Sequence, residues 1–150
     1  MKSKRIAKAR KPPLARDVMT QDVITVRDDQ DVWSVSWTFV HRHITGAPVI
    51  DAQGRLVGVI SQTDLAVFIW GQASAGEEFY VGLKRDPDGT RAPVLARDLM
   101  TRKVVQAGPR TGLNQLARTM RRYRIHRLPI TSGRKLLGIV TTMDLLKLVG

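Results

Sequence analysis

The chain has no cysteine among its 150 residues. That absence excludes disulfide scaffolds, cysteine nucleophiles, thiolate zinc sites and iron–sulfur clusters, and it agrees with the cytoplasm as the expected compartment. No run approaches the ~18 consecutive apolar residues of a membrane span, so no membrane partner is expected. The basic opening from Met1 to Lys11 is like the head of a signal peptide, but Pro12-Pro13 stands where an apolar stretch should follow, which argues against secretion. The phosphate-loop, dinucleotide-binding and serine-elbow glycine motifs are missing as well. His41, His43 and His126 do not form a His-x-x-Glu-His metal pattern, and Asp28, Asp29 and Asp31 read as a turn and a helix start, where acids are favourable. The expectation is a protein that is not an enzyme and holds no metal.

What the chain does have is positive charge. Its 25 Lys and Arg outnumber 13 Asp and Glu, for a net charge of +12, which points to a polyanionic partner such as nucleic acid or nucleotide phosphates. The excess is divided. Residues 1–11 carry six bases and no acid, residues 12–96 carry seven bases against eleven acids, and residues 97–150 carry twelve against two. With 43% apolar and 25% charged residues the composition is that of a globular chain, and one this long buries roughly 68–70% of its unfolded surface without cross-links.

The sequence also repeats itself. Ala15-Arg-Asp-Val-Met-Thr20 returns as Ala96-Arg-Asp-Leu-Met-Thr101, an offset of 81, and Ile44 and Pro48 return in register as Ile125 and Pro129. Leu56-Val-Gly-Val-Ile-Ser-Gln-Thr-Asp-Leu65 returns as Leu136-Leu-Gly-Ile-Val-Thr-Thr-Met-Asp-Leu145 at an offset of 80, one residue being lost in the intervening Gly-bearing turn. Each copy reads alike. A β-branched run, Val23–Val26 or Val104-Val105, predicts a strand. Val32, Val35, Phe39 and Val40, then Leu113, Leu116, Ala117 and Met120, recur at helical spacing and predict a core-facing helix, with Arg118, Arg121 and Arg122 on the wet side of the second. Ala47–Ile50 with Leu56–Ile60, and Leu128–Ile130 with Leu136–Val140, predict β-hairpins about a glycine turn. A second helix closes each copy, from Ser61 to about Trp70 and from Thr141 to about Val149. Residues 71–93 read as a long surface connection with one helical turn near Glu77 to Val81.

A β-α-β-β-α unit with Asp-Val-Met-Thr before its first strand, Ala-Pro-Val-Ile-Asp on its second and Gly-Val-Ile-Ser-x-x-Asp leading into a helix resembles the cystathionine-β-synthase (CBS) domain. The chain is similar to a tandem pair over roughly residues 14–149. The resemblance implies an α+β fold of two β-α-β-β-α repeats, each with a three-stranded sheet, packed about a pseudo-twofold axis with two clefts between them. The expected organisation is a disordered basic tail at 1–13, repeats at 14–70 and 94–150, and the connection at 71–93. It also implies a non-catalytic regulatory module whose clefts take AMP, ADP, ATP, NAD or S-adenosylmethionine as a regulatory ligand, a homodimer, and, with only the tail outside the repeats, action in trans on a regulated protein that the sequence does not name.

Candidate ligand residues follow from chemistry and from that resemblance. Asp64 and Asp144 can each accept both hydroxyl protons of a ribose diol, and Ser61 and Thr141 bring a hydroxyl and free backbone N–H groups to a helix start where phosphate could rest. The same Ser-x-x-Asp and Thr-x-x-Asp are also helix caps, which imply no ligand. His126-Arg127-Leu128-Pro129 matches the His-Arg-x-Pro segment that the resemblance assigns to nucleotide phosphate, whereas the first copy has Thr45-Gly46-Ala47-Pro48, so the two clefts should differ in phosphate affinity. Arg127 as a solvated strand end is the alternative. The resemblance places Ile24, Ala47, Val59, Val105 and Ile139 against adenine; core packing explains all but Ala47 nearly as well. Thr20 and Thr101 offer hydroxyls, or serve turns. Trp33 and Trp37 lack aromatic counterparts at Asn114 and Arg118 and, with Phe68 and Trp70, are candidates for a dimer contact or for burial under residues 71–93. A competing reading is nucleic-acid binding through the tail and the arginine-rich helix, against which no helix-turn-helix or aromatic RNA motif is present.

Overall fold

The computed structural model describes residues 11–74, 83–85 and 87–149. Each repeat opens on a single helical turn, α1 (Ala15–Val18) in the first and α4 (Ala96–Leu99) in the second. The aspartate of the Ala-Arg-Asp motif makes the turn possible: Asp17 and Asp98 accept the backbone N–H of Leu14 and Leu95, each at 2.8 Å. Such acids also sit favourably at the positive end of the turn.

From there the two openings exchange places. Thr20 trades backbone hydrogen bonds with Ile139, both 2.9 Å, and Thr101 trades them with Val59 at 2.8 and 3.0 Å. Ala15 is buried in a core with Leu116, Met120, Leu128, Ile130 and Val140 of the second repeat. Val94, Ala96 and Met100 are buried in the core of the first, with Val26, Val35, Phe39, Val49 and Ile60. Glycine makes the crossings possible. A Cβ on Gly58 would lie 2.6 Å from Met100 Sδ and 3.0 Å from Thr101 O, and one on Gly138 would lie 2.6 Å from Met19 Sδ and 2.8 Å from Thr20 O.

In the first repeat β1 (Val26–Arg27) runs parallel to β2 (Gly46–Ile50), which pairs antiparallel with β3 (Leu56–Ser61). In the second, β6 (Arg127–Ser132) and β7 (Lys135–Thr141) form the same hairpin, Pro48↔Val59 becoming Pro129↔Ile139. The third strand of this sheet is reduced to a parallel bridge from Ala107 to Ile130. Val104 and Val105, expected as a strand, are partly buried and lie ahead of that bridge, so their apolar character serves packing rather than a ladder. The strand expected over Val23–Val26 likewise forms only from Val26.

Helices cover the sheets. In the first repeat α2 (Val32–His41) is capped by Asp31, whose carboxylate accepts Trp33 and Ser34 N–H at 3.0 Å each, and α3 (Gln62–Ser74) follows β3 directly. Their counterparts are α5 (Leu113–Tyr123) and the shorter α6 (Thr142–Leu146), which gives way to a turn before the expected end near Val149. Val32, Val35, Phe39, Leu116 and Met120 are buried as their spacing requires, but Val40 and Ala117 are exposed. Within the connection, β4 (Leu83–Arg85) and β5 (Arg91–Pro93) form a hairpin closed by Asp88-Gly89, with Asp88 accepting the Thr90 N–H at 3.0 Å. The helical turn expected over 77–81 and the tail up to residue 10 lie outside the described residues.

Candidate functional site

A cavity of about 390 Å³ opens between the repeats, large enough for a small ligand. Its first wall is the end of β3 and the start of α3, which carry Val59, Ser61, Thr63 and Asp64. Thr101 reaches it because the crossing at Gly58 sets Thr101 beside Val59. The opposite wall comes from the second repeat: Arg124 and His126 before β6, Arg127 on it, and Ile139 on β7. Ala47 completes the apolar floor.

The structure therefore brings together Ala47, Val59, Ser61, Asp64, Thr101, His126, Arg127 and Ile139 from among the residues singled out in the sequence. The others do not line this cavity. Leu128 is fully buried in the second core, and Val105 packs against the same core. Ile24 is partly buried. Thr20, Thr141 and Asp144 belong to the pseudo-symmetric position, where Thr20 sits beside Ile139 as Thr101 sits beside Val59.

Both aspartates act as caps. Asp64 Oδ2 accepts the Ser61 N–H at 2.7 Å and the Ser61 hydroxyl at 3.0 Å, and Asp144 Oδ2 accepts the corresponding groups of Thr141 at 2.8 Å each. A carboxylate has a second oxygen, and there the two sites part. Asp144 Oδ1 lies 3.8 Å from Lys147 Nζ, whereas the residue equivalent to Lys147 in the first repeat is Val67. Asp64 Oδ1 accepts no hydrogen bond among the described residues and remains an acceptor on the cavity wall. The capping geometry thus leaves half of Asp64 available for a ligand.

Arg127 does more than end a strand. Its guanidinium donates to Thr45 Oγ1 across the repeat boundary, and a Cβ on Gly46 would lie 2.8 Å from its Nη1. Gly46 is the position equivalent to Arg127 in the first repeat, so the glycine that lacks a donor is also the one that makes room for it. The Arg127 cation from one repeat and the Asp64 carboxylate from the other consequently share one cavity. Arg124, the residue that follows α5, also lines it. It ends α5 in the left-handed region at φ 53°, ψ 44°, a conformation usually held by glycine. Its equivalent, His43, has φ 52°.

The carboxylates held below the usual range lie elsewhere. Asp31 is lowered chiefly by the Ser34 backbone N–H, and Asp88 by the Thr90 hydroxyl; neither lines the cavity. Among the described residues no group of His, Asp and Glu is placed to hold a metal ion, and no helix is long and apolar enough to cross a membrane.

Two exchanged β-α-β-β-α units enclosing a shared cleft define a tandem-repeat module. The CBS domain family profile matches residues 15–71 and 96–150, so the chain belongs to the CBS family and carries the domain twice, the arrangement of a regulatory module. Among its relatives is the protein MJ1225 of Methanocaldococcus jannaschii, 29% identical over 135 residues. That match takes in 90% of this chain but 42% of the relative, so the chain spans less than half of that protein's length. Among solved structures it is similar to CBSX2 in complex with AMP, at 26% identity and a TM-score of 0.73 over 91% of this chain and 96% of that one. It is also similar to the CBS domain pair of protein MJ0100 in complex with 5′-methylthioadenosine and S-adenosyl-L-methionine, at 25% identity and a TM-score of 0.69 over 91% and 99%.

Proposed function

We propose that this chain is a ligand sensor whose cavity between the repeats takes a phosphate-bearing adenosine compound, AMP, ADP, ATP or NAD, and that a second copy and a regulated protein read the bound state in trans. The observation that carries this reading is the convergence of Asp64 with Arg124, His126 and Arg127 on one cavity from opposite repeats. A carboxylate oxygen accepts from a ribose hydroxyl, and a planar guanidinium suits phosphate oxygens, so the two ends match the two polar ends of a nucleotide. Ala47, Val59 and Ile139 give the adenine ring an apolar floor. The similar structures hold AMP, methylthioadenosine and S-adenosylmethionine. The two arginines here favour the phosphate-bearing members of that group over the sulfonium cation.

Calorimetric titration of the purified chain with AMP, ADP, ATP, NAD and S-adenosylmethionine tests the proposal. At least one nucleotide binds, Asp64→Ala and Arg127→Ala each weaken it tenfold or more, and Asp144→Ala weakens it less. No binding to any of the five, or binding indifferent to Asp64 and Arg127, rejects the assignment.

A further inference from the structure

The second repeat carries a basic groove that the first does not. A hollow of about 530 Å³ runs between α5 and the segment ahead of the Ala107 bridge. Lys103 comes from that segment and Arg118 and Arg122 from the helix, with the amides of Gln106 and Gln115 and the Thr119 hydroxyl in the same lining. No acid lines the hollow, α5 contains none, and among the described residues none of the three cations meets a carboxylate. Val104 and Gln106 also line a smaller hollow of about 210 Å³ that holds Arg102 and Arg134. Five cations therefore border one continuous track. The equivalents of Lys103, Arg118 and Arg122 in the first repeat are Asp22, Trp37 and His41, and there the indole and imidazole stack on each other at 3.9 Å. The same fold thus closes without these cations, and like charges four residues apart on a helix repel rather than stabilise it.

We propose that this track docks an extended acidic segment of the regulated protein, whose Asp and Glu side chains pair with Lys103, Arg118 and Arg122. The inference rests on the reading above that a regulated protein responds to the bound state, and it adds the chemistry by which that protein is recognised. The spacing suits an extended chain. Arg118 and Arg122 are separated by about 6 Å of helix rise, close to the ~6.6 Å between alternate side chains of a strand. A guanidinium donates two parallel bonds to a carboxylate, and the Gln and Thr side chains, which both donate and accept, suit the peptide amides between the acids. Single-stranded nucleic acid carries similar charge but is held on aromatic stacking platforms. Tyr123 is the one aromatic in the lining, and Arg122 already sits 5.5 Å over its ring. Nor is this a merely solvated helix face, because Lys103 converges on the arginines from a second segment. The track shares no residue with the nucleotide cavity, yet both walls run on into it: Arg124 follows Arg122 by two residues and Thr101 precedes Arg102. The partner is thereby seated beside the ligand whose presence it reports.

Fluorescence anisotropy of the full chain with a labelled twelve-residue peptide of alternating Glu and Ser tests the docking, at ~0.15 M salt, where exposed charges act only within about 8 Å. The peptide should bind, and its uncharged Gln-Ser counterpart should not. Arg118→Gln with Arg122→Gln should weaken binding about tenfold or more. Arg16→Gln with Arg121→Gln removes the same charge from outside the track, and should change affinity less than about threefold; the basic tail is present in both proteins. Equal losses in the two double variants overturn the site, since diffuse charge then accounts for the binding. Tighter binding of a short oligothymidylate, lost in the Arg118/Arg122 variant, overturns the acidic partner in favour of nucleic acid. Calorimetric titration with AMP, ADP, ATP and NAD separates this proposal from the one beneath it, because the Arg118/Arg122 variant should bind nucleotide as the wild type does. A chain that binds nucleotide but not the peptide overturns the docking alone, and one that binds neither overturns both.

Discussion

Replacing Gly138 by alanine tests whether the opening of the first repeat is locked onto the second. The added Cβ would stand 2.8 Å from the Thr20 carbonyl oxygen and 2.6 Å from Met19 Sδ. The thioether can swing aside; the carbonyl cannot, because it accepts the Ile139 N–H at 2.9 Å while Thr20 donates back to Ile139 at 2.9 Å. Relief of the clash therefore separates the two segments and gives up both bonds, at about 0.5–1.5 kcal/mol each. Alanine restores about 0.4–1 kcal/mol by restricting the unfolded chain. The net expectation is a loss of about 1–2 kcal/mol, which lowers Tm by roughly 2–8 °C for a chain of this size. Gly71→Ala is the control. Gly71 lies in α3, where an added Cβ would meet nothing within 4 Å, and the substitution gains up to about 1 kcal/mol of helix propensity. Thermal unfolding followed by circular dichroism compares the three proteins. A Gly138→Ala variant as stable as Gly71→Ala would refute the crossed packing.

Gly58→Ala should reach the site as well as the core, since the crossing it permits carries Thr101 to the cavity wall; nucleotide affinity should fall at least threefold alongside a loss of about 1–2 kcal/mol, as expected for overpacking, and unchanged titrations contradict it. Arg124→Gly relieves a left-handed backbone, so urea unfolding should show a gain of roughly 1 kcal/mol while calorimetry shows weaker phosphate binding. Asp31→Ala removes the α2 cap and should cost about 1 kcal/mol at pH 7. The folded pKa of Asp31 lies below its ordinary value, so this contribution is present above pH ~4 and fades as pH falls through the folded pKa; urea midpoints of variant and wild type should converge in acid, and a constant gap would contradict the assignment.

Much of this architecture was legible in the repeat. The offsets of 81 and then 80 residues placed helices, hairpins and both aspartate caps in corresponding positions, because periodicity and capping are local properties that duplicate with the sequence. Exchange of the openings was not legible: nothing near Met19 or Met100 says which repeat will receive it, and Gly58 and Gly138 read as hairpin residues until a distant methionine is set against them. The same long-range step explains the site. The two clefts expected between the repeats did not say which carboxylate Arg127 would face; its guanidinium crosses to Thr45 and shares the Asp64 cavity. Val104 and Val105 had the composition of a strand without a partner to ladder with. The β4–β5 hairpin carried a local signal in Asp88-Gly89 that the acidic, proline-bearing connection obscured.

Whether Asp64 and the cations of the opposite repeat together hold a nucleotide is decided by calorimetric titration of the chain with AMP and with its 2′,3′-dideoxy analogue. AMP should bind, and loss of the ribose diol should weaken binding at least tenfold, as expected when a carboxylate is left without its donors. Equal affinity for the two compounds, or no affinity for either, would show that the cavity does not recognise a ribonucleotide through Asp64.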